Sequence, residues 1–170
     1  MRIFLLFVFG ICLSATPSVS AAPQADVLQL PSCRYCGMDR GKFAHSRMLV
    51  EYDDGSSVGI CSIHCLVVEQ VNNIDKTPTS IKVGDYDSRM LIDAEAAFWV
   101  IGGERPGVMS NRGKWAFEKK ADAEAFIAAS KGVLGSFEDA IRSAYDDMYK
   151  DTRSIRERRK MKRMKQMEHG

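Results

Sequence analysis

Residues 47–65 read RMLVEYDDGSSVGICSIHC, and the parsing of this stretch sets the architecture of the whole chain. Met48, Val50 and Tyr52 alternate with Leu49 and Glu51, the period-2 pattern of a strand with one buried face. Asp53-Asp54-Gly55 is a tight-turn signal, and the residues after it return as a second strand, so the segment predicts a β-hairpin. Ser62 then serves as the expected N-cap of a helix through CSIHCLVVEQVNNI (61–74), with Cys65, Val68, Glu69 and Asn72 on successive turns. A third strand follows at TSIKVGDY (79–86). The order is β-β-α-β.

Working outward, the second half repeats that order. AAFWVIGG (96–103) reads as a strand, although DAEAAFWV (93–100) also fits a helix. KWAFEK (114–119) is the next strand. ADAEAFIAASK (121–131) is a helix with Ala121, Ala125, Ile127 and Ala128 inward, and GVLGSF (132–137) a last strand. The expected fold is α+β: two β-β-α-β units in tandem, followed by a long C-terminal helix. That helix opens with a capping box from Ser136 to Asp139. Phe137, Ala140, Ile141, Ala144, Tyr145, Met148 and Tyr149 then recur at i, i+3, i+4 spacing, a docked face that ends at Tyr149. RERRKMKRMKQMEHG (156–170) has no aliphatic residue and is expected in solvent.

The N-terminus has the pattern of a secretory signal: Arg2, an apolar run from Ile3 to Leu13, and the small-residue site Val19-Ser20-Ala21. Cleavage after Ala21 is expected, and lipid attachment at Cys12 is disfavoured by Ile11, where a small residue belongs. The protein is therefore expected to be exported, as to a periplasm. The domain plan is a signal peptide at 1–21, a flexible lead-in at 22–32, a metal-binding domain at 33–135, and the helix with its basic tail at 136–170. The net charge of +2 hides an asymmetry: residues 151–170 carry eight Lys/Arg against three Asp/Glu, and the body is mildly acidic. Such a tail suits an acidic protein or an anionic membrane surface. No nucleic-acid partner is expected.

Four cysteines remain after cleavage, spaced Cys33-x2-Cys36, twenty-four residues, Cys61-x3-Cys65. A hairpin lies between the pairs and returns the chain to its start, so the two pairs can converge on one ion. Four thiolates suit tetrahedral zinc. Met38 and His64 tilt the balance toward a softer metal, since Cu(I) takes thioether sulfur readily. An even cysteine count in an exported chain also reads as two disulfides, and Cys-x2-Cys alone as a thiol–disulfide redox pair. Against the redox reading, Gly37 and a turn follow the pair where a redox motif wants a helix. Cys65 falls in the first turn of a helix, where free amides favour a thiolate. Met38 is also a plausible core filler, and His45 suits a strand end better than a metal. Met109, in ERPGVMSNRGKWAF (104–117), is a loop residue whose spacing alone says little.

CRYCGM (33–38), the hairpin, LIDAEAAFWVIGG (91–103), PGVMSNRGKWAF (106–117) and ADAEAFIAASKG (121–132) together resemble the NosL family, copper-handling accessory proteins of nitrous-oxide reductase. The resemblance implies a pair of β-β-α-β units, a shape shared with an organomercurial lyase, and no enzymatic activity. It also implies Cu(I) binding and delivery to a recipient copper enzyme or its assembly machinery. Cys36, Met38 and Met109 match the family's sulfur positions. Cys61, Cys65 and the basic helix exceed that pattern. The candidate ligand set is Cys33, Cys36, Met38, Cys61, His64, Cys65 and Met109, for Cu(I) or alternatively zinc.

Overall fold

The hairpin forms where the alternation places it: β1 (Met48–Tyr52) pairs antiparallel with β2 (Ser57–Ile60), Met48 opposite Ile60 and Val50 opposite Val58. Gly55 turns the chain at φ +78°, a conformation a Cβ would oppose. Met48, Val50 and Tyr52 are all buried, as the period of two requires. The computed structural model describes residues 24–168. The expected signal peptide, Cys12 and the cleavage point lie outside the described residues.

Helix α1 is Ala25–Gln29, and α2 is Ile63–Asn72. Strand β3 (Pro78–Gly84) lies on the other side of β1, and β4 (Leu91–Asp93) pairs with β3, giving an antiparallel sheet ordered β2-β1-β3-β4. The second unit runs β5 (Phe98–Ile101), β6 (Lys114–Phe117), α3 (Lys120–Ser130), β7 (Val133–Gly135), with sheet order β6-β5-β7. In both units the first strand is central, its hairpin partner on one side and the strand after the helix on the other. The α+β class and the tandem β-β-α-β plan stand, with β4 as an added edge strand in the first unit.

One core serves both units. Met48, Val50, Ile60, Leu66 and Val67 from the first pack with Trp99 and Ala116 from the second and with Phe137, Ala140 and Ala144 of α4 (Phe137–Glu168). Each large apolar side chain so buried contributes about 1.5–3 kcal/mol. Trp99 sits at the seam, its indole N–H donating to Ala94 O at 2.9 Å and its ring 5.8 Å from Phe137. The opposite face of the second sheet, Val100, Trp115 and Phe117, is covered by Ala123 and Phe126 of α3. The inward face of α3 is therefore Ala123, Phe126 and Ser130, with Ile127 half-buried against the same cluster as expected, whereas Ala121, Ala125 and Ala128 are exposed. In an alanine-rich helix the single Phe decides the face.

Two segments are more ordered than the sequence suggests. Within the expected flexible lead-in, Asp26 of α1 lies between two fully buried guanidiniums, Arg40 at 2.9 Å and Arg47 at 2.8 Å. Arg40 also donates to the carbonyls of Leu30, Met48 and Ile60, threading past β2 at Gly59, where a Cβ would stand 2.7 Å from the guanidinium carbon. In α4 the capping box forms, Ser136 Oγ donating to Asp139 Oδ2 at 2.8 Å and the Asp139 N–H returning to Ser136 Oγ at 3.2 Å. The docked face differs from the expected one. Tyr145 and Tyr149 are exposed, and the face continues to the buried Asp151 rather than ending at Tyr149. Beyond it the helix runs on with Met161, Met164 and Met167 exposed. No helix among the described residues is long and apolar enough to cross a membrane.

Candidate metal centre

Cys33 and Cys36 sit on a tight knuckle just before the hairpin. Cys33 N–H donates to Met38 O at 2.8 Å, and Gly37 N–H donates to Cys33 O at 3.0 Å. Gly37 takes φ +74°, which lets the chain double back after Cys36. The knuckle is pinned to β2 by Arg34 N–H donating to Gly59 O at 3.0 Å. Its other anchor is Tyr35, whose hydroxyl donates to Glu69 Oε2 at 2.6 Å. Glu69, on α2, is fully buried and also accepts from Tyr52 and Asn73. Burial, with this bond to Glu69, pushes the Tyr35 phenol up to about 12, so it remains a donor. Cys61 follows the last residue of β2, and Cys65 lies in the first turn of α2. The hairpin thus carries the second pair back against the first.

The four sulfurs lie within 4.8 Å of one another. Cys36 and Cys61 are 3.4 Å apart, Cys61 and Cys65 3.7 Å, Cys36 and Cys65 4.0 Å. No disulfide joins the four in this structure. A tetrahedron with metal–sulfur bonds of about 2.3 Å has edges of about 3.8 Å, within the observed spread. Cys33, Cys61 and Cys65 are buried, while Cys36 is half-buried and forms the rim.

Protons are shared unequally in this cluster. The hydrogen bond from Cys36, joined by those from Cys61 and Cys65, holds the Cys33 thiol far below the ordinary thiol range. At Cys36 the bond with Cys33 opposes ionisation, but those with Cys61 and Cys65 outweigh it and bring the thiol to about 7. Bonds to Cys33 and Cys36 push Cys61 and Cys65 up, and burial adds to both. The thiols lowered are the two of the knuckle, and a thiolate is the form that ligates metal.

The remaining candidates are placed as follows. Met38 and Met109 are both half-buried and pack against the core cluster that contains the cysteines. Met109 has φ +63°, a left-handed conformation that costs a residue with a Cβ about 1–2 kcal/mol. His64 is buried but turned toward α4, its Nδ1 3.5 Å from Asp151 Oδ2, and it is not among the side chains grouped around the sulfurs. Burial holds its imidazole below the ordinary value. His45 is packed between Tyr86 and Trp115, ring centroids 5.8 and 5.5 Å away, where it joins the two sheets. Ser62 is the N-cap residue of α2, as expected, but its hydroxyl makes no capping bond; it donates to Val108 O at 3.0 Å, tying the Met109 loop to the start of α2. Glu69 and Asp151 also carry support roles that helical spacing alone does not show.

Fold and site together define an α+β tandem repeat whose first unit gathers four thiols into a cluster that could hold a metal ion, with Met38 and Met109 packed against the same core. The NosL family profile matches residues 24–145, and the chain belongs to that family. A solved structure, the copper chaperone NosL from Shewanella denitrificans, is 21 % identical with a TM-score of 0.52, covering 72 % of this chain and 96 % of that one. At that identity the likeness shows the shared fold. No curated protein matches the sequence.

Proposed function

We propose that this is an exported metallochaperone that binds Cu(I) through Cys and Met sulfurs. It hands the ion on for maturation of a copper enzyme such as nitrous-oxide reductase. The observation that carries the reading is the cluster of four free thiols within 4.8 Å, with Cys36 at the rim and two methionines packed against the same core. Family membership supports it, as does the name of the solved neighbour. Cys36, Met38 and Met109 would form the face from which the ion leaves, and Cys33, Cys61 and Cys65 the buried side. It is an accessory protein rather than an enzyme.

Anaerobic titration with Cu(I) against a competing chelator tests this. Met109→Leu keeps the volume and removes the sulfur, so fold stability should change by less than about 1.5 kcal/mol while copper affinity falls clearly. An unchanged affinity would leave Met109 a packing residue only.

A zinc site is the second reading, favoured by sulfur separations that bracket the edge of a tetrathiolate tetrahedron. Metal analysis of protein purified anaerobically separates the two. Copper at one equivalent or more supports delivery, and stoichiometric zinc that copper does not displace supports a structural site.

The exposed basic helix is assigned to docking on an acidic recipient or an anionic membrane, where several Lys/Arg side chains act together. Truncation after Ile155 keeps the docked face through Asp151. It should leave copper affinity unchanged and slow transfer to the recipient, and raised salt should slow the intact protein likewise. Full-rate transfer by the truncated protein at low salt would make the tail a solvated extension.

A further inference from the structure

The loop that carries Met109 has neither strand nor helix of its own between residues 102 and 113. It is held from outside. On one side Ser62 Oγ donates to Val108 O. On the other, α4 supplies two carboxylates. Arg112 forks onto Asp147, Nε to Oδ2 at 2.7 Å and Nη2 to Oδ1 at 2.9 Å, and Nη2 also reaches Ser143 O at 3.3 Å. The ammonium of Lys114, whose side chain is 2 % exposed, meets the same Asp147 Oδ2 at 2.8 Å and closes on Arg112 O at 3.2 Å. One turn further, Asp151 Oδ1 accepts from the Asn111 N–H at 3.3 Å. Met109 therefore lies between a tether at Val108 and a two-carboxylate clamp starting at Asn111.

Left-handed backbone at a non-glycine persists only where surrounding contacts over-determine it. Here those contacts are the Ser62 tether and, on the other side, the two carboxylates of α4. We infer that Asp147, backed by Asp151, is a positioning residue that holds the Met109 thioether at the thiol cluster, so that the seating of α4 sets how firmly the metal is kept. The inference rests on the reading of Met109 as a ligand. Asp147 and Asp151 both lie past residue 145, the last matched by the family profile, so the clamp comes from the chain's own C-terminal helix.

The test is a double-mutant cycle on copper affinity. Asp147→Asn strands the buried Lys114 ammonium, so Arg112→Gln, at a side chain 43 % exposed, is the second variant. Each is measured alone and together with Met109→Leu, in the full chain, by Cu(I) competition and by hydrogen exchange of the amides at 108–112. The expected result is a loss of affinity of about tenfold or more, the scale for groups that support a metal ligand, with faster exchange in the loop. In the Met109→Leu background the same substitutions should cause no further loss. A merely structural role would lower affinity equally in both backgrounds, and that outcome overturns the inference, as does unchanged loop exchange. The two readings fail differently. If Met109→Leu alone leaves affinity intact, the ligand assignment falls and takes the clamp's role with it. If Met109→Leu weakens binding and neither clamp variant does, only the inference falls.

Discussion

Replacing Asp26 with alanine is expected to destabilise the protein by about 3–5 kcal/mol, the cost of removing one partner from a buried ion cluster. That is a large share of a typical domain stability of about 5–15 kcal/mol. The reason is local. Arg40 and Arg47 are both 0 % exposed, and Asp26 is the carboxylate set between them. Without it two guanidiniums remain in the interior with only carbonyls for company. Acid should reproduce the effect. Burial alone would raise the Asp26 carboxyl, but hydrogen bonds and charge from Arg47 and Arg40 outweigh it and hold the group below its ordinary value. A carboxyl depressed in the folded state contributes stability that is fully present above its unfolded pKa of about 3.9 and is lost as pH falls through the folded value. Urea melts of wild type and Asp26→Asn should therefore differ most at neutral pH and converge below about pH 4. A neutral-pH difference under about 0.5 kcal/mol, the range of ordinary surface changes, would show that the arginines need no counter-ion.

Serine at positions 33, 36, 61 and 65 together should abolish the tight first equivalent of Cu(I). Thiolate ligation is worth about 10–16 kcal/mol in structural zinc sites, so its loss should be larger than that of any other substitution at the site. Because ligation displaces thiol protons, wild-type affinity should also weaken as pH falls in the same titration. A four-serine protein that binds the first equivalent as tightly as wild type would end the thiol-site reading. Equal melting curves for the two apo proteins would show that the cysteines serve the metal rather than the fold.

The parts of this molecule legible in its sequence are those set by neighbours along the chain. Alternation at Met48, Val50 and Tyr52 gave the hairpin, and the hairpin gave the meeting of Cys33 and Cys36 with Cys61 and Cys65. The capping box at Ser136 and Asp139 likewise involves residues three apart. What stayed hidden depends on partners distant in sequence. Asp26 reads as one polar residue in a lead-in, and only the fold brings Arg40 and Arg47 to it. β4 has three residues, too few for an alternation to show, and exists because β3 offers it an edge. The periodicity of α4 marked which residues are apolar but not where the neighbouring surface stops. Tyr145 and Tyr149 accordingly project into solvent, while the charged Asp151 lies inside against His64 and Asn111. Met38 and Met109 likewise carry no local signal that they pack against the core cluster that includes the cysteines.

The repeated topology has a consequence for how such a site arises. Cys61 follows the last residue of β2 and leads into α2; the equivalent position after β6, leading into α3, is Glu118. Its N–H is spent on Asp85 Oδ2 at 2.9 Å, a bond that joins the two units. The same backbone corner thus carries a thiol of the cluster in the first unit and an inter-unit hydrogen bond in the second. The asymmetry also ties the halves together from both corners: Ser62, next to Cys61, donates to Val108 O of the second unit, as Glu118 donates to Asp85 of the first.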